Sequence, residues 1–128
     1  MVAQREALQA KEASIRGSAA LALITSGPEA KAAVPALTER LRDDDEKVRV
    51  LSAGALASIT GKAEEYLSTF VAGLASEDEE ARIWASRLLG LAAHQAKSAA
   101  QPLLLQAIKH DKSFVRSVAL SILAGIEL

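Results

Sequence analysis

Arginine and histidine are the residue types in this 128-residue chain best placed to do chemistry. Arg16, Arg49, Arg82 and Arg116 recur at intervals of 33, 33 and 34 residues. A guanidinium is a permanently charged planar fork of N–H donors, so a row of four suits either of two tasks. It would bind an anion ladder, or it would bond turn carboxylates and carbonyls at the junctions of a repeated fold. His94 and His110 are the only histidines. Metal or general-base chemistry needs convergent partners, and neither histidine belongs to a His-Glu pair or a His-x-x-x-His arrangement. With no cysteine there is no thiolate ligand, no Cys nucleophile and no disulfide. The chain reads as non-catalytic, with no catalytic residue, no metal site and no cofactor expected.

The arginines are columns of a longer pattern. Eight residues before each stand Leu8, Leu41, Leu74 and Ile108; immediately before, Ile15, Val48, Ala81 and Val115; seven after, Leu23, Leu56, Leu89 and Leu123. Self-similarity at this period marks a stack of supersecondary units. Within each unit the apolar spacing predicts two helices joined by a polar turn. In the second unit Val34, Leu37 and Leu41 share one helical face, and Pro35 suits the first turn. The run 42–47 is a charged turn whose aspartates suit a helix cap. Val48, Ser52, Ala55, Leu56 and Ile59 form the buried face of the next helix, and Gly61 ends it. The third unit repeats this with Leu67, Phe70, Val71 and Leu74, then Ser76 and Glu79 at capping-box spacing, then Ala85, Leu88, Leu89 and Ala92. In the fourth, Pro102 opens a helix carrying Leu104, Leu105 and Ile108, and Val115, Ala119, Ile122, Leu123 and Ile126 face inward on the last. Between Val2 and Arg16 there is no Gly, Pro, Asp or Asn to force a turn, so residues 2–26 fit one helix or two; register with the other units favours a break. Gly27-Pro28 closes the first unit. The expected organisation is a single domain over 1–128, with repeats at about 1–27, 28–61, 62–94 and 95–128.

Residues 33–49, Ala-Val-Pro-Ala-Leu-Thr-Glu-Arg-Leu-Arg-Asp-Asp-Asp-Glu-Lys-Val-Arg, followed by Ala53-Gly-Ala-Leu-Ala-Ser-Ile59, closely resemble a HEAT repeat, in particular the short prokaryotic type of phycobilin-lyase-like proteins. The resemblance extends over the whole chain and implies an all-α, right-handed α-solenoid of four HEAT-like helical hairpins, about eight helices. It also implies that Arg16, Arg49, Arg82 and Arg116 form a structural ladder rather than an anion site. The family's turn aspartate fits Asp43; its equivalents are Ala10, Ser76 and His110, which implies an incomplete Asp–Arg ladder. Iron-binding HEAT-like hydroxylases use His-Glu dipeptides, and this chain has none.

Function is sought on the second helix of each repeat, away from Val48. At 100° per residue those positions are Gly17, Ala20, Leu21 and Ile24; Val50, Ala53, Gly54 and Ala57; Ile83, Ser86, Arg87 and Gly90; Ser117, Leu120, Ser121 and Ala124. Arg87 is the only charge among them, and Trp84, the sole tryptophan, is adjacent. The resemblance implies that this row lines a concave face. Such a surface suits a docked helix or extended peptide, with Val50, Ile83, Trp84, Arg87 and Leu120 as partner-binding residues. The expected function is a protein-interaction scaffold whose partner is a protein or peptide. A HEAT-type lyase or chaperone-like subunit binding a small ligand is the alternative. Fifteen basic against sixteen acidic residues, net charge −1, disfavour nucleic acid. The absence of any long apolar run disfavours a membrane, and a cytoplasmic setting is expected. The last helix keeps a repeat-type apolar face, so either the C-terminal repeat self-associates, or the chain is part of a longer array, or the open face is tolerated.

Overall fold

The computed structural model describes residues 2–127. The Pro28 side chain and Leu128, which figured in the expected repeat ends, lie outside the described residues. Eight α-helices and two short 3-10 segments make up the described structure, with no strand among the described residues. The contacts divide the chain into two compact units, Met1–Lys62 and Ala63–Leu128. The boundary falls one residue from the one between the second and third sequence repeats, so each unit holds two of them.

In the first unit α1 (Val2–Ala7) and α2 (Ala13–Ile24) are separate helices. The chain breaks between them because Gln9 and Ala10 turn their N–H groups back to Glu6 and Ala7, three residues upstream rather than four. A 3-10 segment (Gly27–Ala33) leads into α3 (Val34–Arg40), with Pro35 in its first turn, and then α4 (Glu46–Thr60). Asp45 caps α4 by accepting from the Val48 N–H at 3.0 Å. Gly61 ends α4 at φ +73, a left-handed conformation that glycine adopts without a Cβ clash. α2 and α3 both pack on α4. Leu8, Leu23, Leu37, Leu51 and Leu56 are fully buried in this unit.

The second unit runs from a 3-10 segment (Ala63–Tyr66) into α5 (Leu67–Gly73), α6 (Glu79–Gln95), α7 (Lys97–Ala107) and α8 (Ser113–Glu127). α5 packs on α6, α7 on α8, and α6 on α8. Phe70, Leu67, Leu74, Leu89 and Leu104 fill the core between alanines at 81, 85, 93 and 119. Two local expectations need correcting. Ser76 and Glu79 form no capping box: α6 starts at Glu79, so Asp78 is its cap and accepts from the Glu80 N–H at 3.0 Å. Pro102 does not open α7, which begins at Lys97. A proline inside a helix forfeits one backbone hydrogen bond, and α7 tolerates that loss at an exposed position.

Three residues after each arginine lie Ala19, Ser52, Ala85 and Ala119, all buried. The alanines let helices approach closely. The Ser52 hydroxyl, in the same slot, finds no hydrogen-bond partner.

Candidate functional site

Each repeat is built around one recurring contact. The Nη1 of each of the four recurring arginines donates to the backbone carbonyl six residues upstream: Arg16 to Ala10 (2.8 Å), Arg49 to Asp43, Arg82 to Ser76 (2.8 Å) and Arg116 to His110 (2.8 Å). The arginine opens the second helix while the carbonyl belongs to the turn before it, so the bond clasps the turn onto the helix. The upstream side chain completes the motif. Asp43 Oδ1 accepts from the Asp45 N–H (2.9 Å), Ser76 Oγ from the Asp78 N–H (3.0 Å), and His110 Nδ1 from the Lys112 N–H (3.0 Å). Aspartate, serine and histidine thus perform one task, presenting a lone pair to the N–H two residues on. His110 is accounted for by this turn.

Only Asp43 adds a second task. Its carboxylate also receives Arg16 Nε at 2.8 Å and Nη2 at 3.0 Å from the first repeat, and Arg40 Nη1 at 3.2 Å. The Asp43 side chain is 1% exposed. Burial pushes the Asp43 carboxyl up, but the bonds from Arg16 and the Asp45 N–H, with the Arg16 charge, outweigh it and hold the carboxyl below its ordinary value. The hydrogen bond to Asp43 in turn raises Arg16. Of the other acids, Asp45 and Asp78 cap helices and Glu46 stands 4.0 Å from Arg49, while exposed Asp44 lies 3.4 Å from Arg16 Nη2 and Glu77 3.6 Å from Lys112 of the neighbouring repeats. Among the described residues no three metal-ligating side chains cluster.

The row chosen for partner binding is not uniform. In the first repeat Gly17 and Ala20 are buried, and a Cβ on Gly17 would lie 3.7 Å from Leu51 and 3.9 Å from Val48. This side of α2 therefore receives the next repeat. On α4, Val50 is 2% exposed, and Ala53 and Gly54 are buried with it. Val50 is a core residue, so its assignment to a partner surface is corrected. A helical wheel measured from Val48 gives a direction around α4 but not what lies in that direction.

In the second unit the row opens. Ile83 is 42% and Leu120 56% exposed, Arg87 is exposed, and Trp84 is half-buried. Trp84 and Arg87, one helical turn apart, form a pair with the guanidinium 5.7 Å from the ring centroid. Among the described residues no carboxylate meets Arg87. The structure thus brings Trp84 and Arg87 together on α6, beside Ile83, with Leu120 on the neighbouring α8. Sequence reasoning missed Phe114, whose ring lies 5.8 Å from the Arg82 guanidinium, and Lys112, whose Nζ reaches the Ala75 carbonyl at 2.6 Å. As one of only two phenylalanines, two residues before a ladder arginine, Phe114 was the available signal.

Two surface depressions of about 390 Å³ each lie elsewhere. One is lined by Arg5, Glu6, Gln9 and Pro35, the other by Glu64, His94, Gln95 and Lys97, and neither contains a convergent catalytic set. No helix among the described residues is long and apolar enough to cross a membrane. No protein-family model matches the chain, and no curated protein matches it.

Proposed function

We propose that this chain is a HEAT-like solenoid of four helical hairpins, acting without catalysis as a protein-interaction scaffold in the cytoplasm. Its partner, a helix or extended peptide, docks on the outward face of α6 and α8 at Ile83, Trp84, Arg87 and Leu120. The identical arginine clasp in all four repeats supports the architectural part. One observation carries the functional part: Arg87 lies over Trp84 with no carboxylate partner among the described residues, and the exposed large apolar side chains Ile83 and Leu120 stand on the same two packed helices. Trp and Arg supply much of the binding energy at protein interfaces, and an arginine stacked on a ring is held ready for a partner's carboxylate.

The test is affinity capture from the native host with the wild type, an Ile83→Ser/Arg87→Glu double variant, and Leu105→Ser as a control. Leu105 is an exposed apolar residue on α7, a helix that contributes no residue to the proposed surface. The double variant should lose at least nine-tenths of the captured partner with unchanged helical content and melting, while Leu105→Ser keeps it. Full capture by the double variant refutes the site.

A further inference from the structure

Among the four turn positions Ala10, Asp43, Ser76 and His110, only His110 has a lone pair that a proton takes away near neutrality. Ala10 offers no side-chain acceptor. Asp43 accepts the Asp45 N–H with a carboxyl held below its ordinary value, and the Ser76 hydroxyl accepts the Asp78 N–H without titrating in this range. His110 Nδ1 accepts the Lys112 N–H at 3.0 Å, and the same nitrogen lies 3.0 Å from Asp111 Oδ1. These two contacts need opposite forms of the ring. A backbone N–H requires a bare Nδ1, whereas a carboxylate requires an Nδ1–H. The neutral ring protonated at Nε2 serves Lys112; the imidazolium serves Asp111.

The exchange falls where it has leverage. The imidazole is half-buried, so solvent protons reach it. Lys112 immediately precedes α8, and its carbonyl accepts the Arg116 N–H at 3.3 Å. Its Nζ is the polar tie to the third hairpin, reaching the Ala75 carbonyl at 2.6 Å and standing 3.6 Å from Glu77. Cations outnumber acids around the turn. Lys109 stands just before His110 at the end of α7, Lys112 follows, and Arg116 Nη1 on α8 bonds the His110 carbonyl at 2.8 Å. From α6, Arg82 lies over the Phe114 ring. The acids are Asp111 and Glu77, both almost fully solvated. An added positive charge on the ring has Asp111 as its adjacent offset, and taking it means releasing the Lys112 N–H.

We propose that residues 110–112 form a proton-operated switch. In the neutral ring Nδ1 closes the turn on Lys112. In mild acid one proton enters at Nδ1, the new N–H turns to Asp111, and the entry to α8 opens. Lys112 is then held less firmly, so its tie to Ala75 loosens. Of the four turns, acid acts on the fourth alone.

Nitrogen-resolved NMR of the whole chain between about pH 8 and about pH 5 tests this. At the alkaline end His110 should carry its proton on Nε2. As His110 titrates, the Lys112 amide should lose about fivefold in protection factor, the worth of one turn hydrogen bond. The protection factor already corrects for the intrinsic pH dependence of exchange. The Overhauser contact between the Lys112 side chain and Ala75 should fade with it. Protection of the Asp45 and Asp78 amides should stay constant. His110→Ser gives the fourth turn the acceptor of the third and keeps His94 as an internal control; it should hold Lys112 protection constant over the same range. An Nδ1–H tautomer at the alkaline end overturns the proposal. So does Lys112 protection, or an Ala75 contact, that stays unchanged while His110 titrates, and so does an equal acid loss in His110→Ser. The tautomer and the wild-type protection decide the matter even where the serine variant fails to fold.

Discussion

The two units join their repeats by different chemistry on the same backbone register. In Met1–Lys62 the junction is a desolvated ion pair: Arg16 grips Asp43 through two bonds, and both side chains are buried. In Ala63–Leu128 the corresponding arginine, Arg82, lies over the Phe114 ring, and the polar tie is Lys112 to the Ala75 carbonyl and Glu77, largely in water. The clasp from each arginine to its own turn is common to both. Repeat geometry is therefore maintained inside each hairpin, and the junction is free to be ionic or aromatic.

That contrast is open to direct attack. The largest effect should come from Asp43→Asn, which keeps an acceptor for the Asp45 N–H but leaves Arg16 only the solvated Asp44 carboxylate, 3.4 Å from Nη2, as a counter-charge. A loss of about 2–3 kcal/mol in chemical denaturation is expected, because removing one partner of a buried pair strands the other. The loss has a pH signature. The Asp43 carboxyl is held below its ordinary value in the folded state, so its contribution is complete above about pH 3.9 and fades as pH falls through the lower folded value. Wild type and variant should therefore converge in stability below pH 4. A constant gap down to pH 2 would mean that the pair contributes by packing rather than by charge.

A smaller effect sharpens the comparison from the core side. Ser52 occupies a slot that is alanine at Ala85 and Ala119 in the second unit, and its hydroxyl is buried without a partner. Ser52→Ala should raise stability by about 1 kcal/mol, since an unmade buried hydrogen bond carries a desolvation cost. A destabilised Ser52→Ala would show that the hydroxyl is satisfied in solution. The smallest change is expected at the solvated tie. Lys112→Ala should stay within about 0.5 kcal/mol of the wild type, as exposed ion pairs usually do. A loss near that of Asp43→Asn would erase the distinction between the two junctions.

Much of the helical pattern was legible because apolar spacing encodes it directly. The columns at Leu23, Leu56, Leu89 and Leu123 are buried as read, and Gly61 ends α4 where a left-handed residue was needed. The break after Ala7 was readable only from register, since nothing between Leu8 and Glu12 is a strong breaker. Two things were not legible. Ser76 and His110 looked like departures from the aspartate column, because a residue-type comparison does not register that an oxygen and a ring nitrogen offer the same lone pair. The face containing Val50 was read as a surface, because periodicity gives the side of a helix and not its neighbour. On α6 the same reasoning placed Ile83 and Arg87 at exposed positions.

The arginine clasp closes within about seven residues, and this has a kinetic consequence. A hairpin stripped of its neighbour still holds its turn against its own second helix, so fraying at an edge should expose packed faces before it loosens turns. The amides of Asp45, Asp78 and Lys112 should then outlast those of the helix flanks in native-state hydrogen exchange, like hinge pins that stay seated after the door has swung.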